Sequence, residues 1–389
     1  MPQHGDKALI IGGGLQGCAI ALFLARAGWR VTVVEKNVAG RHASGVNAGG
    51  LRLLMRDARE YPLALRAMDI WEDLASLLGE AAAAPCEVRL GAGQIALCLD
   101  RAELDWAEAR AVDMRRRGLG AEEMIEVADM RHLLPGVSSS ALGALMSRRD
   151  GHANPANTAR AFRNAAEAAG ALVIENCRLL DLKPLPGGGW CAVTNAGPMD
   201  ADVVINCAGA WGAEVAALLG EVLPLKVLAL SMMVTARVQP FISPVVIGID
   251  QPLSFKQSAV GSLVIGGGIL GVPCLAADTS FTVMDRMARS AAATVAAFPA
   301  LADVAVLRTW TGLEGATPDG IPYIGPSVQH DGIWHVFGFS GHGFQLGPAV
   351  GEMVAQSLIS GKLDARLVPF SPGRFATGPR TIATEQAFG

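Results

Sequence analysis

The residues best placed to do chemistry begin with a glycine run. Gly12, Gly14 and Gly17 stand in the spacing G-x-G-x-x-G, with Leu15 and Gln16 between the last two. In that spacing the first glycine permits a tight turn. The second lets a diphosphate approach the backbone, and the third lets a helix pack closely on a strand. The N–H groups and dipole at the helix start then favour phosphate charge. Glu35 closes the next apolar run. Its carboxylate can accept hydrogen bonds from a ribose diol and would repel a 2′-phosphate. These residues predict a dinucleotide site.

Two further stretches bear on which dinucleotide it is. Ser44, Gly45, Asn47, Ala48, Gly49, Gly50 and Leu51 follow Glu35 and can lay backbone amides along a second, bulky part of a cofactor. Gly341, His342 and Gly343 lead into Phe344 and Gln345 at the start of the last predicted helix. Free N–H donors and a positive helix end there suit the N1–C2=O2 edge of a flavin, which gains negative charge on reduction. FAD is favoured; an NAD-dependent dehydrogenase is the alternative.

Four side chains are candidates for substrate. Arg52, after the glycine loop, offers a planar fork for a carboxylate; a solvated surface arginine, or an internal ion pair with Glu314 or Asp57, is the other reading for it and for Arg56. Lys256 could point into the site or blunt a sheet edge. His342 could donate to flavin or substrate. Glu314 enters below. Trp211 and Trp310 read as core, and His152 and Asp319 as turn residues. Neither a metal spacing nor an acyl-transfer triad is present in the sequence.

These residues need elements to hold them. Residues 7–11 and 31–35 read as buried strands flanking a helix at 15–27, with Gly28 placed to end it. That is a β-α-β unit with a parallel sheet, and so an α/β fold. Residues 39–52 read as a loop. Met68, Trp71, Leu74 and Leu78 recur at helical spacing, and 102–117, 157–169, 282–297 and 344–360 read as helices. Strands are predicted at 172–175, 203–206, 227–234 and 263–265.

A chain of 389 residues with 51% hydrophobic residues can bury two packed units. The pattern predicts an interleaved arrangement. Nucleotide-binding parts fall at 1–85, 140–222 and 317–389, and a second, substrate unit at 86–139 and 223–316. A net charge of −4 leaves no basic footprint for nucleic acid. No apolar run reaches the ~18 residues of a spanning helix. Seven scattered cysteines without a C-x-x-C pair, and no signal peptide, predict reduced thiols in the cytoplasm.

The chain resembles the D-amino acid oxidase superfamily of FAD enzymes nearly end to end. The markers are GGGLQG at 12–17, SGVNAGGLR at 44–52, DGHANP at 150–155, VVINCAGAW at 203–211, TWTGLEGATPDGIPYIG at 309–325 and GFSGHGFQLGPAVG at 338–351. The resemblance implies a Rossmann-like FAD-binding domain interleaved with an α+β substrate domain on a mixed sheet. It puts Glu35 at the adenosine ribose with Lys36 beside it, Leu179 against adenine, and Ala208 and Gly209 close to the cofactor. Residues 44–51 would follow the pyrophosphate and ring, and 341–345 would meet the pyrimidine edge.

The implied reaction oxidises an amino acid C–N bond to an imine, with hydride leaving the α-carbon for flavin N5. The substrate amine must be neutral for this, so no side-chain base is named. Departures from the family sharpen the expectation. Asn47 and Gly312 stand where relatives attach flavin covalently, so FAD should be non-covalent. Val264 replaces a lysine of oxygen-using sarcosine oxidases, which favours a dehydrogenase. Glu314 replaces the arginine by which glycine oxidase holds the substrate carboxylate. Either another cation takes that carboxylate, or the substrate presents a positive group to Glu314. The second option resembles the opine and hydroxyproline dehydrogenase branch, whose FAD subunits work in hetero-oligomers. A flavin-bearing electron-transfer subunit without its own turnover is the non-enzymatic alternative.

Overall fold

The structure, a computed structural model, describes residues 6–266 and 268–375. The outer ends of the first and last predicted units lie outside these. Strand β1 (Lys7–Ile11), helix α1 (Leu15–Arg26) and strand β2 (Arg30–Val34) form the expected unit. The strands run parallel, with Ile10 opposite Val33. Alternation sends Ala8, Ile10, Val31 and Val33 into one apolar cluster and Leu9, Ile11 and Val34 into another. The sheet is therefore covered on both faces, as a parallel sheet requires.

Four more strands complete this sheet. Its order is Tyr323–Pro326, Ile333–Phe337, Val203–Asn206, β1, β2, Leu172–Ile174. All its pairs are parallel except at the Tyr323–Pro326 edge. Helix α1 is apolar on all sides because it lies between the sheet and the last helix, Gly343–Ser360. Small residues set how closely the two helices pack. A Cβ at Gly351 would stand 2.5 Å from Ala19 Cβ.

The second sheet has eight strands: Val306–Ala316, Lys226–Arg237, Ser262–Ile265, Ser254–Gln257, Val245–Gly248, Gln94–Cys98, Gly143–Ser147 and Glu123–Ile125. It is mixed, with one parallel pair between Val245–Gly248 and Gln94–Cys98. One face packs under helix Met284–Ala297 through Ile95, Leu97, Phe255 and Met287. The other face looks toward the first sheet.

Four expectations are corrected. The boundary at 140 falls too early, because Gly143–Ser147 pairs with Gln94–Cys98 in the second sheet. Residues 39–52 are more ordered than a loop: Ala43–Val46 is a helical turn, and Gly50–Leu51 pairs with Gly151–His152. His152 thus sits in a strand. The helix through Met68 and Leu78 breaks at Asp73, whose carboxylate caps the next helix by accepting from Ser76 N at 3.3 Å. All seven cysteines are free thiols. Among the described residues no helix is long and apolar enough to cross a membrane.

Candidate active site

A cavity of about 960 Å³ lies between the two sheets. Its nucleotide end is built by the turn after β1. Gly12 has φ 111°, and a Cβ there would fall 2.4 Å from Cys207 O. A Cβ at Gly17 would fall 2.1 Å from Gly12 O. Only glycine permits that backbone approach. Glu35 leaves β2 and accepts Gly13 N at 2.9 Å on one oxygen and Asn37 N at 2.8 Å on the other. It lines the cavity with lone pairs to spare.

The two glycine-rich loops meet across the cavity, although they are far apart in sequence. Gln16 Nε2 donates to Gly343 O at 2.7 Å, tying the first loop to the last. Ser44 Oγ accepts Leu15 N at 2.9 Å and so fastens the second loop to the start of α1. Ala48, Gly49, Gly50, Gly341, His342, Gly343 and Phe344 share the lining. Glycine-cradled walls, a helix start aimed inward, a ribose-type acceptor and a space of this size fit FAD.

Most of the expected cofactor residues reach this space: Gly12, Gly14, Gln16, Glu35, Lys36, Ser44, Asn47, Ala48, Gly49, Gly50, Leu179, Ala208, Gly209, Gly341, His342, Gly343 and Phe344. Five do not line it. Leu15 and Leu51 are buried in the core. Gly17 packs on Gly12, and Gly45 packs on Gly40. Gln345 turns away, donating to Ala64 O at 2.9 Å and accepting Arg56 Nη2 at 3.0 Å. Lys36, expected beside the ribose, is held by an ion pair. It pairs with Asp278, which Arg178 shares, and its Nζ lies 3.1 Å from the Trp211 ring centroid. Trp211, read as core from sequence, is buried in an apolar cluster with Ala229 and Leu313 and also edges the cavity.

The substrate candidates Arg52, Lys256, Glu314 and His342 all face the same cavity. Arg52 donates to Leu54 O at 3.1 Å, and burial followed by the nearby Arg56 pulls its pKa down to about 10. Neither Glu314 nor Asp57 pairs with it. Arg56 is a structural residue, bonded to Gln345 and paired with Glu60 at 3.5 Å. Lys256 reaches across from the second sheet to Ala153 O at 3.2 Å, beside Gly49. Burial lowers its pKa to about 8. Lys256 stands opposite Val264 on the neighbouring strand. An ammonium therefore occupies the face from which the resemblance removed one. Glu314 accepts the N–H of Gly341, and burial pushes its pKa up to about 7.

One group was invisible in the sequence. Glu60 is fully buried and accepts His342 Nδ1 at 2.8 Å. Burial brings His342 down to about 4, so the ring is neutral and its Nε2 is left as an acceptor. The only local signal for Glu60 is its i,i+4 spacing from Arg56.

The fold and this site define a flavin-dependent oxidoreductase. The chain belongs to the FAD dependent oxidoreductase (DAO) family, which matches residues 7–357, and FAD is its cofactor. It is 28% identical over 384 residues to the beta chain of the sarcosine oxidase of Rhizobium meliloti (strain 1021), covering 97% of this chain and 90% of that one. One of the opine oxidase subunits of Rhizobium meliloti is 28% identical over 389 residues, covering 94% and 96%. Among solved structures, L-proline dehydrogenase from P.horikoshii matches with a TM-score of 0.85 at 25% identity, covering 97% and 99%. Glycine oxidase from Geobacillus kaustophilus shares the fold, with a TM-score of 0.84 at 23% identity, covering 96% and 99%.

Proposed function

We propose that this chain oxidises the C–N bond of a small amino acid, D-, N-substituted or cyclic, at a non-covalently held FAD. The observation that carries the reading is the placement of a cation pair and a carboxylate on one cavity wall system with the two glycine loops. The names of the relatives, sarcosine, opine and glycine oxidases, support it.

In this reading Glu35 holds the adenosine ribose and the start of α1 holds the diphosphate. The 44–50 and 341–344 loops take the ring. The chemistry that FAD supplies when bound is a two-electron sink: the substrate's α-carbon hydrogen leaves with its electron pair, the amine nitrogen loses a proton, and water hydrolyses the resulting imine. Arg52 holds a substrate carboxylate. Glu314 orients the amine, and once ionised above about pH 7 it can also accept the amine proton. The neutral ring of His342 is kept in position by Glu60. Partner subunits as the electron acceptor are supported by the sarcosine and opine oxidase relatives, each of which is by name a subunit of a larger enzyme.

The test is anaerobic. Purified protein should be yellow and should bleach when given a substrate from a panel of sarcosine, glycine, proline, hydroxyproline, D-alanine and opines. A yellow protein that no amine bleaches would refute the reaction. Arg52→Ala should weaken substrate binding roughly tenfold or more with the flavin spectrum unchanged. Full turnover in air by the isolated chain would remove the need for a partner acceptor.

A further inference from the structure

Three cations that line the cavity have no counter-charge: Arg41, which is exposed to solvent, and the more enclosed Arg52 and Lys256. Lys36 and Arg178 share Asp278, Arg56 is paired with Glu60, and Arg110 with Glu122. Arg52 and Lys256 have only the backbone carbonyls of Leu54 and Ala153. Among the described residues no carboxylate lies within ion-pair reach of either. Taking a cation out of water without a partner is costly, so both positions await anionic groups. The FAD diphosphate does not fill this role, because its place is the start of α1, whereas Lys256 projects from the second sheet.

We infer that the substrate is an amine bearing two carboxylates, one bound by Arg52 and the other by Lys256, with Glu314 facing the ammonium. The inference rests on the amine-oxidation reading above and narrows it. Charge bookkeeping favours it. With Glu314 ionised, Arg52 and Lys256 against one carboxylate leave the pocket one positive charge in excess; with Glu314 protonated the excess is two. A simple amino acid zwitterion is neutral and leaves that excess buried. An amine with two carboxylates carries one net negative charge and cancels it. Lys256 keeps its proton at neutral pH, since its pKa falls only to about 8.

An unpartnered polar atom lies on the same wall. Gln94 is buried, lines the cavity, and has an Oε1 with no hydrogen-bond partner. Gln94 is opposite Val245, and Ser254 is opposite Ile247. Strand alternation therefore puts Gln94 on the same sheet face as Lys256. The unpartnered Oε1 is an acceptor and suits an N–H of the bound amine.

The experiment compares two unreactive ethers, methoxyacetate and diglycolate, which differ by one carboxylate. Dissociation constants are read from the flavin absorbance of the FAD-loaded protein. Diglycolate is expected to bind at least about tenfold more tightly, the worth of one charge-assisted hydrogen bond. Lys256→Met or Arg52→Met should abolish the preference, and Lys256→Arg should keep it. Equal binding by the wild type would overturn the inference with no variant needed, as would a preference that survives both methionine variants. Iminodiacetate and sarcosine separate this from the parent reading. If sarcosine bleaches the flavin as efficiently as iminodiacetate, only the two-carboxylate inference fails. If neither ether shifts the flavin and no amine bleaches it, both fail.

Discussion

At the scale of single residues, the Glu60–His342 contact sets how the site responds to acid. Burial alone would raise the Glu60 carboxyl, but His342 first, then Arg56 and Arg52, outweigh it and hold the pKa below the usual range. Burial pulls His342 below its ordinary 6.5, to about 4. A histidine depressed in the folded state contributes stability that is complete above pH 6.5 and is lost as the pH falls toward 4. Glu60 adds a loss in the same direction at lower pH. His42 and His152, which burial also depresses, add losses in the same window, while Asp150 and Glu314, which burial raises, oppose them. The ring's share is therefore read as the difference between wild type and variant in melts of the FAD-loaded protein between pH 8 and 4. His342→Gln should lose less stability than the wild type between about pH 6.5 and 4. An unchanged slope in the variant would take the ring out of the account.

At the scale of elements, the join between the two units hangs on Asp150. Its carboxylate accepts Leu53 N at 2.8 Å, Leu54 N at 3.0 Å and Ser147 Oγ at 2.7 Å. It fixes the segment that carries Arg52 to the end of a strand of the second sheet. Asp150→Ala leaves two buried N–H groups unsatisfied and should cost about 3 kcal/mol in urea unfolding. Asp150→Asn keeps one acceptor oxygen and should cost less. Equal losses would mean that the site is reporting volume and not hydrogen bonding.

At the scale of the whole molecule, the cofactor space is walled by both units, so its occupant joins them. FAD binding should therefore raise Tm with concentration, by about 2.7 kcal/mol of stability at a hundredfold excess over Kd. Gly12→Ala, strained at φ 111° and 2.4 Å from Cys207 O, should lower FAD content and remove that dependence. A variant with full FAD content would show that the turn tolerates a side chain.

The amino-acid order by itself determined β1, α1 and β2, the glycine turn between them, and the three glycine-rich stretches. Each of these is a local matter: strand and helix periods, and backbone angles that only glycine adopts cheaply. Tertiary structure alone decided the pairings. Glu60 and His342 are 282 residues apart, and Lys36 and Asp278 are 242 apart. Lys256 reaches Ala153 beside Gly49 only because two sheets face one another. A carboxylate or an ammonium looks the same in sequence whether it is paired, solvated or waiting for a ligand. What distinguishes these fates is the charge brought up to it by a distant element, and no local period encodes that.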